Sequence, residues 1–456
     1  MGLSSRKKVL YALGQFGLVL CAYGVGKFFS AFFVNRSFSD APVFPEYVYQ
    51  GYLFGFFTIM GLIIALTRLV DAVAGVFAGH ASDRSRMKRG RRTGFMLGSA
   101  APLALFSVLV FMPPVEGSSI LNAAVVLVTT SLFYVLLALY TTPYLALMSE
   151  CGNSTNDRIK ISTLMAVATA CAALLGDRIV YFVDRVGALT GSSPVVAFRF
   201  VLFAYALVSF LCMLSPALFI DERRYAKSEP VTGTLSASFT AVFKDTCFRP
   251  YLVADIMYRI ASSFAMAGFS YYVTVLLGLP VSFIVFFLLF IFFANIAFYV
   301  PISILVQKLG KRRMLFAAFL MLMIFLSASI FAGTYPIPSV IQGTILSILV
   351  AIPIAIFTVV PNAVVADLAV AAEKKTGVQR AGMYFGVYSL VMKLGQMFSL
   401  LLFPLVMSIG ARRHNGAGTA GLRTTLLLAA VFSLVGFFAL FGYREKEVSS
   451  LLEKKD

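Results

Sequence analysis

The chain of 456 residues contains no tryptophan and only two histidines, His80 and His414. Two imidazoles cannot assemble a histidine-based metal centre, and none is expected. The five cysteines, Cys21, Cys151, Cys171, Cys212 and Cys247, show no CxxC spacing, so neither a zinc site nor a disulfide framework is implied. Charge is scarce as well. Asp, Glu, Lys and Arg make up 13% of the residues, against about 25% in a soluble globular domain. A soluble fold around one core is therefore excluded. No glycine-rich phosphate loop is present, so direct drive by ATP is not expected. Clustered histidines, paired aspartates or an activated serine or cysteine are also missing, so the chain reads as no enzyme. No filter-like repeat suggests a channel.

What fills the chain is apolar sequence, at 60% of all residues. A membrane-crossing helix needs ~20 mostly apolar residues. Twelve such stretches are expected, at 9–33, 50–79, 93–113, 120–148, 159–184, 195–220, 250–278, 282–306, 314–333, 337–366, 381–409 and 422–443. The first, from Val9 to Phe33, exceeds the ~7–15 residues of a signal-peptide core and is expected to be retained. The net charge of +18 forms no patch or tail and sits in short clusters between spans, so nucleic acid is not expected as a partner. Basic residues fix the orientation. With the N-terminus inside, the inner segments carry 27 Lys and Arg and the outer loops five, Arg36, Arg185, Arg412, Arg413 and Arg423. Both termini are then cytoplasmic, and the protein is expected to be integral to the plasma (inner) membrane.

The membrane part is written twice. Gly90-Arg91-Arg92 recurs as Gly310-Lys311-Arg312, nearly half the chain further on. Pro143-Tyr144, with Glu150 at the end of span four, recurs at almost the same offset as Pro361-Asn362, with Asp367 at the end of span ten. Duplicated bundles of this size are the architecture of secondary transporters, with the site between the repeats. The division expected is an N-terminal six-helix bundle at 1–220, a cytoplasmic linker at 221–249, and a C-terminal six-helix bundle with a short tail at 250–456. The linker holds Pro230, Gly233 and a short amphipathic piece, Leu235 to Phe243, suited to the membrane surface.

Four segments carry a family resemblance. They are Tyr11-Ala-Leu-Gly-Gln-Phe-Gly17, Arg68-Leu-Val-Asp71-Ala with the Asp83-to-Arg92 loop, Pro143 to Glu150 with Asp157-Arg158, and Ala366-Asp367 with Lys375-Thr-Gly377, Arg380-Ala-Gly382 and Lys393. Together they resemble the major facilitator superfamily, and more narrowly the glycoside–pentoside–hexuronide:cation symporters, the group of the melibiose carrier. Lysophospholipid symporters of the same superfamily are similar in these segments. The resemblance implies an all-α membrane protein with twelve transmembrane helices in two pseudo-symmetric six-helix bundles. It implies a cation-coupled symporter of a small organic solute, a sugar or glycoside, acting as a monomer in contact with membrane lipid. The same-fold alternative is carriage of a lysophospholipid or other amphiphile. No bound cofactor is implied beyond a co-transported proton or sodium ion. Three departures stand out. Gly75 occupies the position of a second aspartate one turn after Asp71, Leu18 and Val19 replace an acidic sugar contact, and tryptophan for stacking a pyranose is missing.

Ionisable groups inside spans cost ~2.5–3.5 kcal/mol each on insertion scales, which makes each a functional candidate. Asp71 precedes Asp83, and Lys393 follows Ala381, by the same roughly 12 residues, which at ~1.5 Å per residue puts both ~18 Å from the inner membrane boundary. In the resembled fold, spans two and eleven face each other, so Asp71 and Lys393 are expected as a cation-coupling pair. Arg68, one turn from Asp71, competes with Lys393 as its partner. Asp255 and Arg259, also one turn apart, read as a local ion pair. Asp177-Arg178, Asp184-Arg185 and Arg199 read as an outer ion-pair network, with Arg178 as an anion contact. Tyr23, Tyr140, Tyr144, Tyr388, Asn295 and Gln396 are the other candidate solute contacts, since tyrosine is the remaining large amphipathic ring. Asp83, Arg84, Arg91 and Arg92 are expected to form a cytoplasmic gate, with Glu150 and Arg158 as their partners.

Overall fold

The computed structural model describes residues 3–33, 45–49, 52–53, 57–87, 89–222, 234–407 and 419–453. Positions 223–233 of the expected linker, and Arg36, Arg412 and Arg413 of the outer loops, lie outside the described residues. The fold is all-α. Helices occupy all twelve expected spans, though not always with the expected ends. They are α1 (Ser5–Phe33), α2 (Ile59–Arg84), α3 (Thr93–Leu109), α4 (Ile120–Cys151), α5 (Thr155–Asp177) with α6 (Ile179–Thr190), and α7 (Pro194–Phe219). A short α8 (Leu235–Phe243) precedes α9 (Phe248–Ala267) and α10 (Phe269–Tyr271), which runs into a π-helical turn at Tyr272–Leu276. The chain continues with α11 (Ser282–Leu309), α12 (Lys311–Ile330), α13 (Ser339–Thr376), α14 (Ala381–Met407), α15 (Thr419–Ala439) and α16 (Glu445–Glu453).

Among the described residues ten helices are long and apolar enough to cross a membrane, and the bent pair Phe248–Ala267 and Phe269–Leu276 makes an eleventh. The twelfth, α3, is apolar but shorter, at 17 residues. The 48° bend in the seventh span falls at Gly268. A Cβ there would collide with the Tyr272 hydroxyl, so the ring of the π-turn packs where a side chain would stand. The second span starts later than its hydropathy suggested. Tyr52–Leu53 (β1) pairs antiparallel with Phe57–Thr58 (β2) before α2 begins, in keeping with the extended preference of aromatic and β-branched residues. Its inner end runs on to Arg84, and α13 likewise runs on to Thr376.

By contact the chain separates into two compact units. Unit 1 comprises Met1–Asn153, Leu164–Leu235 and Gln379–Gly386; unit 2 comprises Ser154–Thr163, Ser236–Val378 and Val387–Asp456. Within unit 1, α1 packs on α7, α2 on α4, and α3 on both α4 and α7. Within unit 2, α9 packs on α15, α11 on α13, and α12 on both α13 and α15. The two pairing schemes are the same scheme displaced by half the chain. Small residues permit the closest of these approaches. A Cβ on Gly17 of α1 would lie 2.5 Å from the Ser209 carbonyl oxygen of α7, so the helices meet backbone to backbone.

Candidate functional site

The two charged loops each close on a buried network. In unit 1, Asp83 ends α2 with its side chain 2% exposed. One of its carboxylate oxygens accepts from the Gly382 amide at 2.9 Å and the other from the Met383 amide at 2.8 Å. These are orphan donors of the first turn of α14, where a helix presents partial positive charge. The same carboxylate pairs with Arg92 at 2.5 Å. The Arg92 guanidinium is wholly buried and also reaches Glu150 at 3.0 Å and Ser82 at 2.6 Å, while Arg91 meets Glu150 at 3.0 Å. Burial by itself lowers the pKa of Arg92, but Asp83 and Glu150 outweigh it and hold the group above the usual arginine value.

Glu222, just past α7, completes the arrangement. Its carboxylate accepts from the Arg92 and Thr93 amides at 2.9 Å and from the Thr93 hydroxyl at 3.0 Å, capping α3. Gly90 has a φ of 136°, and a Cβ there would collide with the Glu222 carboxylate, so the turn needs glycine both for its backbone and for the cap. Unit 2 repeats the design. Glu445, just past the last span, accepts from the Lys311 amide at 2.7 Å and the Arg312 amide at 3.0 Å and so caps α12. Gly310, with φ 89°, opens that helix. Asp367, the counterpart of Glu150, pairs with Lys311 and with Arg158 at 2.6 Å, and accepts from the Thr155 hydroxyl at 3.1 Å. Each network thus holds the start of a fifth helix of one repeat, α14 in unit 1 and α5 in unit 2. Ser162 adds a hydrogen bond to the Val359 carbonyl at 2.5 Å in unit 2.

Glycines bring α14 against α2 in unit 1. A Cβ on Gly79 would collide with the Gly382 carbonyl oxygen, and one on Gly386 would lie 2.6 Å from that of Gly75. Spaced four apart on both helices, these residues form a small-xxx-small contact. Gly75 is thus a point of helix contact.

Of the expected gate residues, Asp83, Arg91, Arg92 and Glu150 come together as one cluster. Arg158 goes instead to Asp367 in unit 2, because Ser154–Thr163 belongs to that unit. Arg84 is exposed at the end of α2 and joins no part of the cluster in these contacts. Glu222 and Glu445 were not singled out from sequence; their separation, close to that of the two glycine-arginine loops, was the available signal.

Among the coupling candidates, Asp71 is buried in unit 1, and the Arg68 guanidinium lies over the Tyr134 ring at 5.2 Å. Lys393 is half-buried on α14 in unit 2. Of the solute candidates, Tyr140 and Tyr144 are fully buried, and their hydroxyls donate to the Met213 and Tyr11 carbonyls at 2.7 and 2.8 Å. Both therefore serve helix packing here, with Tyr11 and Tyr144 stacked at 4.5 Å. Tyr23 donates to Asp177 at 2.5 Å, and Lys27 pairs with the same carboxylate. The expected outer network is rearranged accordingly. Arg178 is exposed at the joint between α5 and α6, Arg185 turns to the Tyr181 hydroxyl at 3.2 Å, and Arg199 donates to the Phe111 carbonyl at 3.0 Å. Asn295 is buried, with its amide nitrogen on the Ile291 carbonyl at 3.1 Å and its oxygen without a hydrogen-bond partner among the described residues. Gln396 is exposed. Tyr388 reaches Asp255 at 3.4 Å.

Comparison with known proteins adds to this geometry. A family model described as MFS/sugar transport protein matches residues 10–445. The inner membrane symporter YicJ of Escherichia coli (strain K12) is 24% identical over 230 residues, covering 50% of this chain and 48% of that protein. The glucuronide carrier protein homolog of the same strain is 30% identical over 122 residues, covering 25% of this chain and 26% of that protein. The isoprimeverose transporter of Lactiplantibacillus pentosus is 28% identical over 138 residues, covering 30% and 28%. The matches thus span about half or less of the length of these curated relatives. Two solved structures share the fold. The bacterial homologue of the iron transporter ferroportin, in an outward-facing state, superposes with a TM-score of 0.69 at 12% identity, covering 97% of this chain and 99% of that one. FucP, a major facilitator superfamily transporter in the outward conformation, gives 0.64 at 14% identity, covering 96% and 99%.

Proposed function

Because the chain belongs to the MFS/sugar transport protein family, we propose that it is a cation-coupled symporter of a small organic solute, a sugar or glycoside, working as a monomer by alternating access. The names of its relatives, a symporter, a glucuronide carrier homolog and an isoprimeverose transporter, support this solute class. The observation that carries the mechanism is the exchange of helix starts. The first residues of α5 belong to unit 2 and those of α14 to unit 1, and each is held by a buried carboxylate. We read Asp83 with Arg92, and Asp367 with Arg158, as latches of one cytoplasmic gate. Alternating access then requires both helix starts to leave these carboxylates. Buried charge pairs suit this use, since their desolvation cost offsets much of their attraction and leaves two states close in energy.

In this reading both termini are cytoplasmic, the membrane is the plasma (inner) membrane, and Asp71 and Lys393 act in coupling. Gly75 offers no side-chain oxygen, which favours a proton over a sodium ion that needs several ligands. The test is uptake into proteoliposomes from a mixed panel of sugars and lysophospholipids, with proton and sodium gradients imposed separately. Accumulation of a sugar under one of the two gradients is expected. Uptake of lysophospholipids alone would replace the solute class, and uptake indifferent to both gradients would overturn the coupling.

A further inference from the structure

Arg259 on α9 has unspent hydrogen-bonding capacity. A guanidinium carries five N–H donors. Among the described residues its side chain makes a single hydrogen bond, a long one of 3.5 Å from Nη2 to the Tyr388 hydroxyl. Its Nε lies 3.5 Å from Asp255 Oδ2 and is buried without a hydrogen-bond partner. The ring of Tyr258, stacked on Phe357 at 3.5 Å, lies beside the guanidinium at 5.7 Å and fixes one wall. Asp255 is equally ill served. Its side chain is 0% exposed, Oδ1 has no hydrogen-bond partner, and Oδ2 receives only the 3.4 Å contact from Tyr388 and the long approach of Arg259. One turn earlier on the same helix face, the Tyr251 hydroxyl is also buried without a partner.

The two charges differ in access. The Arg259 side chain is 29% exposed and Asp255 is closed off. A ligand arriving at this cluster therefore meets the cation first. A charged group within a span lines the bundle interior or a water-filled cavity rather than lipid. A guanidinium in such a place matches a planar oxyanion, which it binds through two parallel N–H bonds.

We propose that Arg259 is a solute-binding residue that takes a carboxylate carried by the solute, with Asp255 as the built-in counter-ion it leaves on binding. This rests on the reading of the protein as a sugar transporter and narrows it to sugars or glycosides that bear an acid group. Tyr388, within reach of both side chains, passes its hydroxyl contact from Asp255 to the bound anion. The arrangement sets Asp255 against the ligand. Removing the charge of Asp255 therefore strengthens anion binding, whereas a purely structural ion pair gains nothing from its loss.

The test is calorimetric binding of p-nitrophenyl β-D-glucuronide and p-nitrophenyl β-D-glucoside to the full chain in detergent, with gel filtration and thermal unfolding to check each variant. The unaltered protein should prefer the glucuronide by roughly tenfold or more, the worth of hydrogen bonds to a charged group. Arg259→Gln should abolish that preference while keeping glucoside binding. Asp255→Asn should tighten the glucuronide alone. Equal binding of both probes by the unaltered protein, or a preference that survives Arg259→Gln, overturns the assignment and leaves the sugar reading intact. Should Arg259→Gln fail to fold, Asp255→Asn decides, with unchanged or weaker glucuronide binding counting against the proposal. Binding of neither sugar alongside binding of a lysophospholipid overturns the sugar reading and this inference with it.

Discussion

A single carboxylate, Asp83, serves a helix end and a buried arginine at once, and both uses need its charge. Asparagine in its place keeps the size, but its amide can accept through one oxygen only. Breaking a buried pair costs ~3–5 kcal/mol when the partner is stranded. Here Glu150 still faces Arg92, so the loss falls mainly on the hold over α14. Asp83→Asn should therefore slow solute uptake in proteoliposomes severalfold, with substrate binding and the unfolding temperature little changed. Uptake at the original rate would leave the loop as topogenic charge only. Glu222→Gln tests the neighbouring cap, which serves no exchanged helix. It should lower the unfolding temperature while sparing the transport rate, because a lost helix cap costs ~0.5–2 kcal/mol of stability. At this scale the sequence is a good guide to which charges cluster and a poorer one to their partners. Asp83, Arg91, Arg92 and Glu150 were legible because charge in an apolar chain is conspicuous. Arg158 pairs with Asp367 rather than joining the Asp83-to-Arg92 loop, since a loop reveals its own charges but not which unit its neighbour joins.

Helices were legible from hydropathy because a span needs a long apolar run, and the twelve runs are where the helices are. Their ends were not, since α2 and α13 run on past the hydropathy boundary as helix, with Asp83 and Asp367 buried beyond it. Glycine was the least legible residue. Gly75 read as an aspartate position left empty, yet it is where α14 rests on α2 in unit 1, with Gly79, Gly382 and Gly386 completing the contact. One sequence shows that a side chain is missing but not what stands in its place. The packing makes a specific demand. Gly386→Leu would drive a side chain into the backbone of α2 and should hold the two helices apart. Its uptake should fall well below that of Asp83→Asn. Undiminished uptake by Gly386→Leu would show that the contact is dispensable. The bend at Gly268 is an element-scale feature of the same kind, set by the Tyr272 ring.

For the whole molecule, duplication is the deepest regularity, visible first as repeated loops and then as one pairing scheme used twice. The copies differ where function would require it. At the offset of the glycine-arginine loops, Asp71 of the first repeat is matched by Ile291, an apolar residue of the second. In the proposed coupling set, Asp71 is thus the contribution of one repeat and Lys393 that of the other. If a proton or sodium ion is taken up by Asp71, Asp71→Asn should abolish accumulation against a gradient. Downhill exchange of solute should persist if Asp71 acts in coupling alone. Lys393→Ala should weaken accumulation by removing the basic member of the proposed coupling set. Gradient-driven uptake and counterflow, measured for both variants in the same vesicles, separate the two activities. Full accumulation by Asp71→Asn would remove Asp71 from coupling and leave it a structural charge. Loss of counterflow together with accumulation would instead mean that the residue is needed for the conformational change itself.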